Sequence, residues 1–147
     1  MAKGDSLDAP LTQVLIATLN EEEGIGLTIA EFNEYLKNPR ILVVDGKSRD
    51  NTVPVAKSLG ADVIFQEGGS KGDAIGLGLR NLDSNVDYVV LTDADYTYPA
   101  EYLPQMTRLL NENPKVGMVC GNRFNSQFRL TGMCNFFYIG NKLSYGS

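Results

Sequence analysis

Two aspartates one residue apart, Asp93 and Asp95, follow the most β-like run of the chain, Asp87 to Thr92, and they are the residues best suited to chemistry. Like charges held ~4 Å apart repel by about 4 kcal/mol at an effective dielectric near 20, so such a pair calls for a proton or a cation between them. A hard divalent ion, Mg2+ or Mn2+, satisfies both carboxylates, keeps several waters and takes further ligands from a substrate diphosphate. Histidine is absent from the sequence. That excludes a Ser-His or Cys-His nucleophile and a histidine base, and leaves carboxylates as the acids, bases and metal ligands. Taken alone, Asp-x-Asp also arises where one Asp merely caps a turn.

Three other turns carry suitable residues: Asn20 to Glu23, Asp45 to Asp50, and the glycine-rich Gly68 to Gly72. Lys71 and the backbone N–H groups of its loop can be offered to an anion at a helix start. The loop is neither a Walker loop nor a dinucleotide fingerprint, since neither spacing occurs. Asp45 is placed to take the ribose hydroxyls or base edge of a nucleotide, although Asp before Gly is also an ordinary turn residue.

Positioning these turns falls to short β-branched runs alternating with segments of helical period, the pattern of a mostly parallel sheet flanked by helices. Strands are expected over Thr12 to Leu19, Arg40 to Asp45, Asp62 to Phe65, Asp87 to Thr92 and Val116 to Cys120. Ile25, Ile29, Phe32 and Leu36 place a helix over Gly24 to Lys37, and Val53, Ala56 and Leu59 mark a second, ending at Gly60. A third covers Asp73 to Leu82, where Gly76 and Gly78 suggest close packing, and Leu103, Met106, Leu109 and Leu110 form the stripe of a fourth. In open α/β sheets ligands bind beyond the carboxyl ends of the strands, so all four turns are expected on one rim.

The 147 residues suit a single domain, 1–147. Net charge is -5, which argues against a nucleic-acid partner. The last acidic residue is Glu112, whereas Lys115, Arg123, Arg129 and Lys142 all follow it. No run approaches the roughly 18 apolar residues of a membrane span, and the expectation is a cytoplasmic chain, peripheral at the membrane face. Cys120 and Cys134 are expected as reduced, buried thiols.

As an ordered set these motifs resemble the family 2 glycosyltransferases of the GT-A fold, over about Thr12 to Phe124. Thr18-Leu19-Asn20-Glu21-Glu22 is similar to the family's first-strand turn and Val43 to Thr52 to its second. Lys71-Gly72-Asp73-Ala74 is similar to its third, and Asp93-Ala94-Asp95 with Pro99-Ala100-Glu101 to its metal motif and the helix beyond. The resemblance implies a GT-A, Rossmann-like sheet and a UDP- or GDP-linked sugar held by Thr18, Leu19, Asn20, Glu21, Asp45, Gly46, Lys71, Gly72, Asp73, Asp93 and Ala94. Asp93 and Asp95 would hold the metal, and Arg123, in the matching segment Gly121-Asn122-Arg123-Phe124, would join them in catalysis.

Within the family the likeness is to the dolichol- and polyprenyl-phosphate mannose and glucose synthases, which implies inverting transfer of a hexose. Ala17, Leu19, Gly46 and Thr97 depart from residues frequent there, and many members continue past residue 147, which implies a C-terminally incomplete domain. A phosphate oxygen is already ionised and needs no base, so the lack of acidic residues after Glu112 favours a lipid-phosphate acceptor. Arg123, Arg129 and Lys142 are its available cations. Phe136 to Ile139 could lie at a lipid interface, or belong to a core helix. Alternatives are transfer to a sugar hydroxyl, a haloacid-dehalogenase-like phosphatase using Asp93-Ala94-Asp95-Tyr96-Thr97, a sugar-nucleotidyltransferase, and a silent nucleotide-sugar-binding domain.

Overall fold

The structure, a computed structural model, describes residues 10–121 and 137–141. The chain alternates β1 (Thr12–Thr18), α1 (Glu22–Tyr35), β2 (Arg40–Asp45), α2 (Thr52–Ser58), β3 (Asp62–Phe65), α3 (Lys71–Arg80) and β4 (Tyr88–Asp93). A 3-10 turn, Ala100–Tyr102, leads into α4 (Leu103–Glu112), and β5 (Met118–Gly121) and β6 (Phe137–Asn141) complete one sheet in the order β3-β2-β1-β4-β6-β5.

Alternation along the strands divides the core between two faces. Val14 and Ile16 of β1 join Val43 and Val90 beneath Ile25, Ile29 and Phe32 of α1, Ala56 of α2, and Leu103, Met106 and Leu110 of α4. Leu15 points the other way and meets Leu42, Val44, Val89 and Ala74 of α3. Burying each such side chain contributes about 1.5–3 kcal/mol, which makes this central sheet the rigid floor of the molecule. Gly78 lets α3 lie directly on Leu15, since a Cβ there would come within 2.2 Å of Leu15 Cδ1. Gly76 has no such reason, having only the end of Arg80 nearby.

Register sets the rim. Thr18 pairs with Asp45, Asp45 with Phe65 and Ala17 with Asp93, so four parallel strands end level and their following turns emerge side by side. The four expected turns do share one edge of the sheet.

Several expectations change. The first helix begins at Glu22 rather than Gly24 and the third at Lys71 rather than Asp73, because caps lie outside the apolar repeat that periodicity detects. Leu109 is exposed, leaving Leu103, Met106 and Leu110 as the buried stripe of α4. Cys120 is exposed on the edge strand β5, not buried, although partial desolvation pushes its thiol above the ordinary value. Phe137, Tyr138 and Ile139 do not belong to a helix. They form β6, antiparallel to both β4 and β5. Cys134, Phe136, Arg123, Arg129 and Lys142 lie outside the described residues.

Candidate active site

A cleft of about 300 Å³ opens on the rim, and turns from all four parallel strands line it. Thr18 ends β1 and Leu19 and Glu21 follow it, Gly46 comes from the turn after β2, Gln66 and Ser70 from the stretch after β3, Lys71 from the start of α3, and Asp93, Ala94 and Asp95 from the end of β4 and the turn beyond. Each occupies the carboxyl end of a strand, where the sheet stops and backbone is free to turn outward.

The Asp93–Asp95 turn is built by α1. A Cβ on Gly24 would lie 2.5 Å from the Ala94 carbonyl oxygen and 2.8 Å from Asp95 Cα, so only glycine lets the helix approach so closely. One turn later the buried Thr28 hydroxyl donates to the Ala94 carbonyl at 3.2 Å and accepts the Tyr96 N–H at 3.1 Å. Glu31 then accepts the Ala100 N–H at 3.1 Å. Between these clamps Tyr96 is held at φ 58, a left-handed conformation unfavourable for a bulky residue. Asp95 Oδ1 accepts from the Thr97 hydroxyl at 2.6 Å and the Thr97 N–H at 3.2 Å. Asp93 Oδ2 accepts from Tyr98 at 3.5 Å.

The first two turns interlock. Ser48 Oγ accepts the Asn20 N–H, Asn20 Oδ1 accepts the Arg49 N–H, and Thr52 Oγ1 accepts the Glu21 N–H, each at 2.8 Å. Asp50 takes the Glu22 N–H and both polar groups of Thr52, and the Thr52 hydroxyl holds its carboxyl below the usual range. Asp45 lies beneath the second turn. It is 0 % exposed, and its two oxygens accept from the Ser48 N–H at 2.8 Å and the Ser48 hydroxyl at 2.5 Å. It shapes the turn from beneath, and Gly46 is the residue that turn presents to the cleft. Asn20 is likewise spent on the neighbouring turn and does not line the cleft.

The third turn differs from expectation in the same way. Ser70 and Asp73 form a capping box: Ser70 Oγ accepts the Asp73 N–H at 3.1 Å, and Asp73 Oδ2 accepts the Ser70 N–H at 3.0 Å. These bonds, the Ser70 hydroxyl foremost and the Gly69 N–H among them, hold the Asp73 carboxyl below its ordinary value. Asp73 is therefore a cap and Gly72 lies off this cleft, so Gly69, Ser70 and Lys71 are what the loop brings to it. The Lys71 ammonium pairs with Asp93 Oδ1. Glu21 shares this neighbourhood: burial first, then the charges of Asp95, Asp50 and Asp93, raise its carboxyl above the ordinary value.

A family model, Glycosyl transferase family 2, matches residues 13–135. The chain belongs to this family. That assignment sets aside the phosphatase and nucleotidyltransferase alternatives. A dolichyl-phosphate hexose transferase of Haloferax volcanii is 39% identical over 111 residues, which are 75% of this chain and 46% of the relative. The glycosyltransferase AglJ of the same organism is 33% identical over 131 residues, 88% of this chain and 41% of the relative. The chain thus spans under half the length of both relatives. In fold it is similar to glucosyl-3-phosphoglycerate synthase of Mycobacterium tuberculosis, solved with Mn2+, uridine-diphosphate-glucose and phosphoglyceric acid, at TM-score 0.71 and 20% identity, covering 91% of this chain and 57% of that one. The GT-A architecture is thereby established.

The family 2 domain has a donor set suited to a divalent ion of the Mg2+ or Mn2+ kind. Asp93 already attracts a cation, the Lys71 ammonium, and Asp95 is oriented by Thr97. Among the described residues no group of three or more metal-ligating side chains occurs, and Asp93 and Asp95 are two carboxylates of this cleft that could hold such an ion. Periodicity and motif missed the positioning residues Thr28 and Glu31, because their partners are Ala94, Tyr96 and Ala100, far along the chain. Gly24 carried a legible signal, a glycine inside a helical repeat. Gln66 was also missed, following a strand without any motif of its own.

Proposed function

We propose that this family 2 domain takes a hexose from a nucleoside-diphosphate sugar, UDP- or GDP-linked, and passes it with inversion to a polyprenyl phosphate of the dolichyl type. The observation that carries this reading is the meeting of Asp93, Asp95 and Lys71 in one rim cleft that Thr18, Gly46 and Gln66 also line. The named activity of the Haloferax relative supports the acceptor, and the Mn2+ and UDP-glucose bound by the mycobacterial synthase support metal and donor.

In this reading Asp93 and Asp95 hold the divalent ion, which when bound neutralises negative charge developing on the leaving diphosphate. Lys71 leaves Asp93 for a phosphate oxygen of the donor, exchanging one anionic partner for another. The acceptor phosphate is already ionised, so no side chain must remove a proton, and Arg123 with Arg129 and Lys142 provides its counter-charge. A single displacement at the anomeric carbon inverts its configuration. Among the described residues no helix is long and apolar enough to cross a membrane. In this reading the lipid acceptor is met at the cytoplasmic membrane face, as the named activity of the Haloferax relative supports.

The test has two stages. UDP- and GDP-hexoses are titrated with and without Mn2+, and a hexose is then offered to polyprenyl phosphate and to a set of sugar hydroxyls. Metal-dependent binding followed by transfer to the lipid phosphate is expected. Binding of neither nucleotide sugar in metal would sink the donor reading, and transfer to hydroxyls alone would sink the acceptor.

A further inference from the structure

Asp95 is held through one oxygen. Its Oδ1 accepts both the Thr97 hydroxyl at 2.6 Å and the Thr97 N–H at 3.2 Å, and every bond that the described residues make to Asp95 falls on that atom. A carboxylate oxygen has about two lone-pair sites, so Oδ1 is filled and Oδ2 is the oxygen left for a cation. The same pair of bonds occurs at Asp50, with a different outcome. Asp50 Oδ1 accepts the Thr52 N–H at 3.0 Å and the Thr52 hydroxyl at 2.5 Å, but Asp50 Oδ2 is also taken, by the Glu22 N–H at 3.2 Å. Asp50 is closed within the scaffold and does not line the cleft, whereas Asp95 lines it beside Asp93. Asp93 is divided in the same manner as Asp95. Lys71 takes its Oδ1, and the buried Tyr98 hydroxyl donates to its Oδ2 at 3.5 Å. Each aspartate therefore has one oxygen tied within its own turn and one available to a cation.

We propose that Thr97 is a positioning residue that sets the ion preference of this site: by filling Asp95 Oδ1 it restricts Asp95 to coordination through a single oxygen, which suits Mg2+ and Mn2+ and disfavours Ca2+. The inference rests on the reading of Asp93 and Asp95 as ligands of a divalent ion. Mg2+ demands near-octahedral geometry with few protein ligands and several waters, whereas Ca2+ takes about six to eight oxygens and readily grips a carboxylate by both. A carboxylate with one oxygen already saturated serves the first kind of ion and not the second. Hydrogen bonds to a ligating carboxylate orient it in this way and tune the ion it holds. A threonine that only capped the turn would support every ion alike, and that difference is measurable.

The experiment measures Mn2+ binding to the 147-residue chain by paramagnetic resonance, alone and with UDP or GDP, corrected for the Mn2+ that the nucleotide holds by itself. Mg2+ and Ca2+ are then measured by displacement of Mn2+. Thr97→Val keeps the shape of the side chain and removes its hydroxyl. It should weaken Mn2+ by about tenfold and leave Ca2+ unchanged or tighter, so that the ratio of Ca2+ to Mn2+ affinity rises about tenfold. Mg2+ should follow Mn2+. Thr97→Ala, a second variant without the hydroxyl, should move the ratio the same way, and Thr97→Ser should return it to the wild-type value. Thr97 is exposed, so metal-free melting of the variants should stay near wild type. An unchanged ratio in Thr97→Val and Thr97→Ala would overturn the proposal. Unchanged affinities would mean that the bond is idle, and an equal fall for all three ions that Thr97 only supports the turn. If the wild-type chain held no Mn2+ even with nucleotide, the reading of Asp93 and Asp95 as metal ligands would fail instead.

Discussion

Asp93 and Asp95 are held by different means, and their variants should separate accordingly. Asp95 is fixed within its own turn by Thr97, so Asp95→Asn preserves the turn and removes charge. Its transfer rate is expected to fall by roughly 100-fold to 1,000-fold while nucleoside affinity changes little, because the lost interaction strengthens only as the diphosphate leaves. Kinetics set beside UDP and GDP titrations would show this, and a wild-type rate and metal dependence would refute it. Asp93 shares its charge with Lys71, a partly exposed pair. Lys71→Gln should tighten Mn2+ binding without nucleotide by about twofold to fivefold, the range of a surface ion pair, and weaken nucleotide binding in metal. Paramagnetic resonance of free Mn2+ measures the first, and unchanged Mn2+ affinity would rule out competition for Asp93. Glu21 gives a pH-dependent case. Its carboxyl is raised by burial and by neighbouring carboxylates, so ionising it disfavours the folded state. In metal-free buffer Glu21→Gln should melt higher than wild type at pH 7, and the gap should close as pH falls below the ordinary glutamate value of 4.5, where both states are protonated.

At the scale of elements, α1 acts as a template for the turn after β4. Gly24 sets its distance, Thr28 satisfies the Ala94 carbonyl and the Tyr96 N–H, and Glu31 fixes the start of the following 3-10 turn. Thr28→Val keeps the packing but leaves a buried carbonyl and N–H unpaired, which should cost about 1–3 kcal/mol. Because those groups flank Asp95, Mn2+ affinity should fall together with urea stability, and Thr28→Ser should restore both. A Thr28→Val protein with wild-type Mn2+ affinity would show that the turn keeps its shape unaided. The turns after β1 and β2 brace each other through Ser48, Asp50 and Thr52, which explains why so many of their polar residues face one another rather than the cleft.

For the molecule as a whole, β6 joins the parallel half of the sheet to β5. It pairs with β4 on one side and β5 on the other, so a chain ending at Gly121 leaves β4 with an open edge and β5 without its neighbour. Open strand edges template association. Such a truncated chain is expected to unfold at lower temperature and to scatter light at concentrations where the 147-residue chain stays dispersed. Equal melting temperature and dispersity would mean that β1 to β4 with their helices suffice alone.

Local sequence determined the alternation of strands and helices, the rim on which the informative turns lie, and the residue types available for chemistry. Each is written within a few neighbouring residues: β-branched runs, helical periods, and the Asp93-Ala94-Asp95 spacing. Missing histidine limited the chemistry before any fold was known. Tertiary structure decided which polar residues line the cleft and which hold the scaffold. Asp45, Asn20 and Asp73 have types that suit a ligand, yet each is engaged at a turn or cap, while Gln66, in no motif, is left buried with an unpaired oxygen at the cleft. Partners such as Thr28 with Ala94, 66 residues apart, become neighbours only when α1 packs beside β4, and the strand at Phe137–Asn141 is defined only by the edges it pairs. A side chain's type sets what bonds it can make, and long-range packing sets which bond is within reach.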